Sequence, residues 1–419
     1  MKSTSLLPIL FILLIFNSCK KETPATLQEG FVKSFASDSD VAVIGTVQLD
    51  DGNFLIAGDD NTATWDQSIR SQGSLMKIDD KGNMIWKKRL SPLNTILWKV
   101  IAVPGTGFLT FGINDYNLNT LFVCIYDNDG NFMTSHTITA GQFNYYKAPY
   151  DITRLSNGNF VITGASVVLN GTGAIRIFDP SFNLLYIRTF TLPPSSSQTV
   201  CRGVCEEGDS NLVITLSTQE MFTQIIYTQL LLTKMDGTII STTTVGDSVY
   251  SQTPNAVAAY ANGLFTVSAK MKGYNTGSGT TVNYTNNYNG NGLPVSGTVT
   301  INRFTPIGQF AGSTQLNNYS GNGMINSLRK TTDGGYILCG TVNQLNTFLV
   351  VSETKIYLVK LDANLGVEWS KIINTTYRTI GVDALQTSDG GYLVSGFQHS
   401  LDKRYEALVI KTDSQGNIY

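Results

Sequence analysis

Asp389-Gly390-Gly391-Tyr392-Leu393-Val394-Ser395-Gly396, near the end of the chain, has a counterpart near its start, Asp51-Gly52-Asn53-Phe54-Leu55-Ile56-Ala57-Gly58. Further copies centre on Phe108, Phe160, Leu212, Phe265 and Tyr336, which makes seven. Their spacings are 54, 52, 52, 53, 71 and 56 residues, a period that marks a repeat architecture rather than separate domains. Gly58, Gly112, Gly164, Gly340 and Gly396 stand four positions after their landmarks, while Leu216 and Ala269 depart from the pattern. A glycine that ends a short apolar strand signals a tight bend or close backbone approach.

Each copy carries a second phrase, an apolar strand ending in Lys-x-Asp and a glycine turn. It reads Lys77-Ile78-Asp79-Asp80-Lys81-Gly82-Asn83 in the first copy and Lys411-Thr412-Asp413-Ser414-Gln415-Gly416-Asn417 in the last. The Asp recurs as Asp127, Asp179, Asp236 and Asp362, with Thr305 the exception. Such a carboxylate bonds the backbone of its own turn, and Gly or Asn supplies the left-handed residue. One strand follows this phrase and one precedes the landmark, so the unit is four short strands, a to d, with tight a–b and c–d turns. Helical periodicity is nearly absent and β-branched alternation is common. Seven such units predict an all-β, seven-bladed β-propeller of four-stranded antiparallel blades, in which radial stacking buries both faces of every sheet. The last copy stops at Tyr419, where its d strand should begin. Phe31-Val32-Lys33-Ser34-Phe35 resembles Trp86-Lys87-Lys88-Arg89-Leu90 and is expected to supply that strand, closing the ring.

The chain of 419 residues has only 14% charged residues, a formal charge of −2 and no long basic run, which argues against a nucleic-acid partner. Two histidines, His136 and His399, leave little scope for histidine-based metal sites or chemistry, and no cofactor or metal is expected. Lys2 followed by an apolar run from Leu6 to Phe16 is too short to span a bilayer. With Asn17-Ser18-Cys19, it resembles the processing site of bacterial lipoproteins, so residues 1–18 are read as a signal peptide and Cys19 as the lipidated residue. Residues 19–30 read as a tether and 31–419 as one propeller domain. Cys124, Cys201, Cys205 and Cys339 read as free thiols. Cys201 and Cys205 are separated by about 13 Å if extended, too far for a disulfide.

The mature chain resembles Bacteroidota-type envelope lipoproteins built of Asp-Gly-Gly-Tyr-type propeller repeats. That resemblance implies a fold and a place at the outer membrane or cell surface, but no activity, because one fold hosts many functions. Three classes follow. The leading one is a non-catalytic binding or scaffold propeller for an extracellular glycan or peptide. The others are a polysaccharide-active hydrolase or lyase, and a subunit of an envelope secretion or uptake complex. Its only membrane partner is expected to be reached through the lipid anchor.

The b–c loops and d–a connections vary in length and share one face, where binding groups are commonly placed. Candidate ligand-binding residues on it are Trp65 with Asp59 and Asp66, the insertion residues Tyr274, Tyr284, Asn286 and Tyr288, and Arg404 with Tyr405. Tyr and Asn offer apolar faces, donors and acceptors suited to sugars or peptide backbone. No catalytic residue is nominated. Asp59, Asp60, Asp66, Glu353 and Asp402 are the carboxylates available for hydrolysis. Asp127-Asn128-Asp129-Gly130-Asn131 has the opening of a calcium loop but Ala140 at its twelfth position, so it reads as a turn. Lys77, Lys234, Arg303, Lys360 and Lys411 stand two residues before the turn position. Each is expected to neutralise a turn carboxylate as a surface pair worth at most about 1 kcal/mol, rather than to ring the channel as an anion site.

Overall fold

The computed structural model describes residues 30–36, 41–60, 72–90, 95–114, 117–139, 151–166, 172–190, 196–208, 210–220, 226–246, 250–272, 297–316, 322–345, 351–399 and 405–418. These form 28 strands in seven four-stranded sheets, each sheet a blade. Strand β1 (Phe31–Phe35) comes first in the chain. Blade 1 is β2 (Val41–Gln48), β3 (Phe54–Asp60), β4 (Gln72–Ile78) and β5 (Met84–Arg89). Blade 2 is β6 (Thr95–Val103), β7 (Gly107–Asn114), β8 (Asn117–Tyr126) and β9 (Phe132–Thr139). Blade 3 is β10 (Asp151–Arg154), β11 (Phe160–Ser166), β12 (Thr172–Phe178) and β13 (Leu184–Phe190). Blade 4 is β14 (Ser196–Glu207), β15 (Asn211–Glu220), β16 (Ile226–Lys234) and β17 (Ile239–Val245). Blade 5 is β18 (Tyr250–Tyr260), β19 (Gly263–Lys272), β20 (Gly297–Phe304) and β21 (Phe310–Gln315). Blade 6 is β22 (Asn322–Lys330), β23 (Tyr336–Leu345), β24 (Val351–Leu361) and β25 (Val367–Ile373). Blade 7 takes β26 (Thr379–Gln386), β27 (Tyr392–His399) and β28 (Tyr405–Thr412) from the end of the chain.

Its fourth strand is β1. All five residues pair antiparallel with β28, from Phe31 opposite Lys411 to Phe35 opposite Ala407. Lys77 stands opposite Trp86 in blade 1, so Phe31 holds the place that Trp86 holds. The sequence comparison of these two segments was therefore in register, and the ring closes as expected.

Each a strand packs against the a strand of a neighbouring blade, whereas the d strands alternate exposed and half-buried at the rim. The a strands therefore surround the axis. Seven apolar clusters fill the seven spaces between blades, each drawing on two neighbours. Between blades 6 and 7, for example, Ile337, Ile356 and Leu358 meet Tyr392, Val394 and Ile410. Burial on both sides of the middle strands accounts for their continuous apolar runs.

Two sequence alignments shift by a step. In blade 5 the a–b turn is tighter, Tyr260 pairing directly with Gly263, and Leu264 rather than Phe265 occupies the place of Phe54. Ser268 then stands where other blades have the strand-ending glycine. In blade 4 the c–d turn opens on Lys234, whose N–H bonds Thr238 O, so Asp236 lies inside the turn instead of starting it.

Candidate functional site

The two faces of the disc differ in how their polar groups are used. On one face lie all a–b and c–d turns. Each c–d turn is closed by a left-handed residue whose N–H bonds the carbonyl three residues earlier, as in a three-residue hairpin loop. In the Asp-led turns the carboxylate accepts two backbone N–H groups, as Asp127 does from Asp129 at 2.9 Å and Asn131 at 2.8 Å. The Asn131 N–H holds Asp127 below the usual carboxylate range, and the Asn131 amide adds a bond at 2.9 Å. The calcium-like stretch is therefore a turn whose acid is bonded to its own backbone.

The two repeated phrases meet in ion pairs whose lysine is buried and whose carboxylate is 26–50% exposed. Lys77 bonds Asp51 at 2.6 Å, Lys360 bonds Asp333 at 2.8 Å and Lys411 bonds Asp389 at 2.7 Å, so the Lys-x-Asp strand grips the Asp-Gly turn of the same blade. These lysine side chains are 3–4% exposed. Their burial corrects the expectation of weak surface pairs. Burial acts to raise Asp333, but Lys360, Thr331 and the Gly335 N–H outweigh it and hold the carboxyl down at about 2. Strand c is third from the axis, so the lysines do not line the channel. Lys234 leaves the column altogether, exposed at its turn. Arg303 instead donates to Leu365 O of blade 6 at 3.2 Å.

The opposite face carries the b–c loops and d–a connections. Trp65, Asp66, Tyr274, Tyr284, Asn286, Tyr288, Arg404 and Asp402 lie outside the described residues, as does Cys19. Asp59 is 5% exposed and accepts the Leu97 N–H of blade 2 at 3.0 Å, bracing one blade against the next. Asp60 is fully buried, bonded by Ser74 at 3.0 Å and paired with Lys87 and Arg89 at 3.3 and 3.2 Å. Glu353 pairs with Lys355 at 2.7 Å. Tyr405 is half-buried at the loop-face end of blade 7, edge-on to Phe397 and His399 at 5.6 and 5.2 Å between ring centroids. The described candidates therefore do not converge on one point.

Sequence reading missed the inner strands. The residues nine before the landmarks are Gly45, Lys99, Asp151, Gly203, Ala256, Ser327 and Asp383, one per blade. All but Asp151 follow a β-bulge in the a strand. Lys99 of blade 2 is ion-paired to Asp151 of blade 3. Arg329 of blade 6 bonds Asp383 of blade 7 at 2.7 and 3.2 Å, Asp383 accepts the Thr46 N–H of blade 1 at 3.1 Å, and Arg329 also donates to Thr46 O at 3.2 Å. One clasp thus ties the closing blade to both neighbours. Asp383, aided by Asp151 through space, raises Arg329 above its ordinary range against the effect of burial. The bulged Asn255 and Asn326 extend the pattern, donating to Ile325 O and Gly381 O of the next blade at 2.7 and 2.6 Å. Asp151 and Asp383 therefore each carry a counter-cation.

The thiols are structural. Cys201 and Cys205 lie on one strand, β14, and all four described cysteines are free. Burial pushes Cys205 up to about 12 and Cys201 further.

No protein-family model matches the chain, and neither does any curated sequence. Solved structures do. The BP39L lectin from Burkholderia pseudomallei is 8% identical, with a TM-score of 0.56 over 90% of this chain and 98% of the lectin. The β-propeller domain of the Trilobed protease from Pyrococcus furiosus is 10% identical, with a TM-score of 0.50 over 88% of this chain and 95% of that one. A protein of unknown function from Dyadobacter fermentans is 10% identical, with a TM-score of 0.49 over 91% and 97%. At these identities the likeness is one of fold alone.

Proposed function

We propose that this chain is an outer-membrane or cell-surface lipoprotein, anchored through Cys19, whose propeller is a non-catalytic binding or scaffold disc with its variable-loop face toward an extracellular glycan or peptide. The observation that carries this reading is the place where the chain enters the disc. Phe31 stands opposite Lys411 beside the c–d turn of blade 7, so β1 begins on the turn face. A tether ending there leaves the loop face pointing away from the anchor. Between Cys19 and Phe31 the chain reaches at most about 40 Å, enough to hold the disc near a membrane while leaving that face open.

The use of charge supports the same reading. Turn carboxylates are bonded to their own turns, and Asp151 and Asp383 on the inner strands are paired with cations. A glycan and peptide screen of the protein from Gln28 onward, repeated after deletion of residues 275–293, tests the binding surface. Binding that weakens on deletion is expected, and unchanged binding removes the insertion from the site. Cys19→Ala is expected to move the protein from the membrane fraction to the soluble one; continued membrane association would refute lipid attachment.

A further inference from the structure

The space between blades 4 and 5 is packed differently from the other six. Its apolar cluster among the described residues is Val213, Leu230, Leu232, Leu264 and Phe304. Toward the loop face polar side chains join the walls, which border an open cleft of about 540 Å³. That volume lies in the range of about 300–1,000 Å³ common to small-molecule sites. Thr244, Val245 and Gly246 form one side, while Gln252, Thr300, Asn302, Ser313, Gln315 and Phe310 form the other.

Asn302 stands where most sister blades place an apolar side chain. The place of Asn302 on strand c is held by Met76, Cys124, Leu231, Val359 and Ile410 in five blades, and by Arg176 in blade 3. Asn302 is fully buried and Gln252 is 4% exposed. Gln252 Nε2 donates to Thr300 Oγ1 at 3.0 Å and to Asn302 Oδ1 at 3.2 Å. Asn302 Nδ2 donates to Thr266 Oγ1 and Ser268 Oγ, both at 3.2 Å, and Ser313 Oγ donates to Asn302 Oδ1 at 3.0 Å. Such a network fixes amide and hydroxyl groups in place, but apolar side chains of similar size would serve stability as well or better. A neutral amide and hydroxyl network at this place occurs in blade 5 alone, where it borders the cavity, and that points to a ligand.

The lining also selects the ligand. None of the named wall residues carries a charge, so an ionic group would enter without a counter-ion. The hydroxyls and amides around the saturated Asn302 offer donors and acceptors together, and the Phe310 ring, 47% exposed, offers a flat apolar surface at the turn-face end of the cleft. We propose that the cavity between blades 4 and 5 is a binding site for a neutral polyhydroxylated ligand, a mono- or disaccharide unit of a glycan. This rests on the reading of the disc as a binding propeller and names its site and ligand class.

Calorimetric titration with neutral mono- and disaccharides, alongside uronic acids and short peptides, provides the test. The double variant Gln252→Leu/Asn302→Leu replaces the buried amides with apolar side chains of similar size, and Phe310→Ala removes the surface ring without touching the buried network. The expected result is that wild type binds a neutral saccharide in preference to its uronic acid. Both variants should lose affinity at least tenfold, with the double variant melting at or above the wild-type temperature. If the double variant fails to fold, Phe310→Ala alone decides. Variants that bind a saccharide as wild type does would overturn the cavity site while leaving the binding reading intact, and binding of peptide alone would do the same. A wild-type protein that binds nothing in the panel would overturn both.

Discussion

Beneath the left-handed residue of most c–d turns lies a side chain from the d strand of the preceding blade, and in several blades the sizes of the two are matched. A Cβ on Gly130 would come within 2.5 Å of the Trp86 ring, one on Gly82 within 2.5 Å of Phe31, and one on Gly416 within 2.8 Å of Trp369. In two of the three blades where the d strand offers little, the turn supplies the bulk; in the third, Ser241 of blade 4 is followed by Gly308. Thr134 and Gly312 hold the place of Trp86 in blades 2 and 5, and the following turns carry Phe182 and Leu365 at φ 61° and 67° instead of glycine. Phe182 stacks on Phe160 with centroids 4.6 Å apart, and Leu365 is 2% exposed. A bulky left-handed residue costs about 1–2 kcal/mol, which its burial offsets by about 1.5–3 kcal/mol. Gly130→Leu should therefore destabilise by about 2–4 kcal/mol through strain and overpacking. The same change made with Trp86→Thr should cost less, with a coupling of at least about 0.5 kcal/mol in a urea-unfolding double-mutant cycle. Additive effects would show that the two positions do not share one space.

At the scale of strands, the phrases that recur were legible because they do the same job in every blade: a turn, a buried middle strand and a Lys-to-Asp grip. The inner-strand residues Lys99, Asp151 and Asp383 were not, because their position recurs while their residue type does not. Each acts on a neighbouring blade, and a comparison seeking sameness passes over them. The shift at Leu264 was hidden for another reason. Leu264 and Phe265 are both fully buried, each toward a different neighbour, so either could serve as the landmark until the short turn at Tyr260–Gly263 fixed the register. Asp59 looked like a loop acid, but β3 runs on through Asp60 and holds both carboxylates inside. Polar lining between blades 4 and 5 was unreadable as a site, because Thr, Ser and Asn on strands resemble ordinary alternation. Strand β1 is the element whose removal should be felt most. Deleting residues 31–35 leaves the edge of β28 unpaired, with Phe31 gone from under Gly82. A melting temperature lowered by many degrees and concentration-dependent association are expected in calorimetry and light scattering. An unchanged melting temperature would mean that β1 does not close the ring.

For the whole molecule, the two faces of the disc are built differently. The Arg329–Asp383–Thr46 clasp and β1 join the two ends of the chain, and the repeated turns make one face uniform. The other face is left to connections of unequal length, under which the polar cavity between blades 4 and 5 opens. A ring held by seven interblade cores can vary those connections at little cost to stability, which is how a repeat scaffold comes to carry a specific surface. Hydrogen–deuterium exchange on the soluble disc, with and without the saccharide or peptide that binds best in the screen, tests this division most directly. Slowed exchange is expected at the loop-face ends of β17, β18 and β20, with the a–b and c–d turns unaffected. Protection confined to the turns would contradict it.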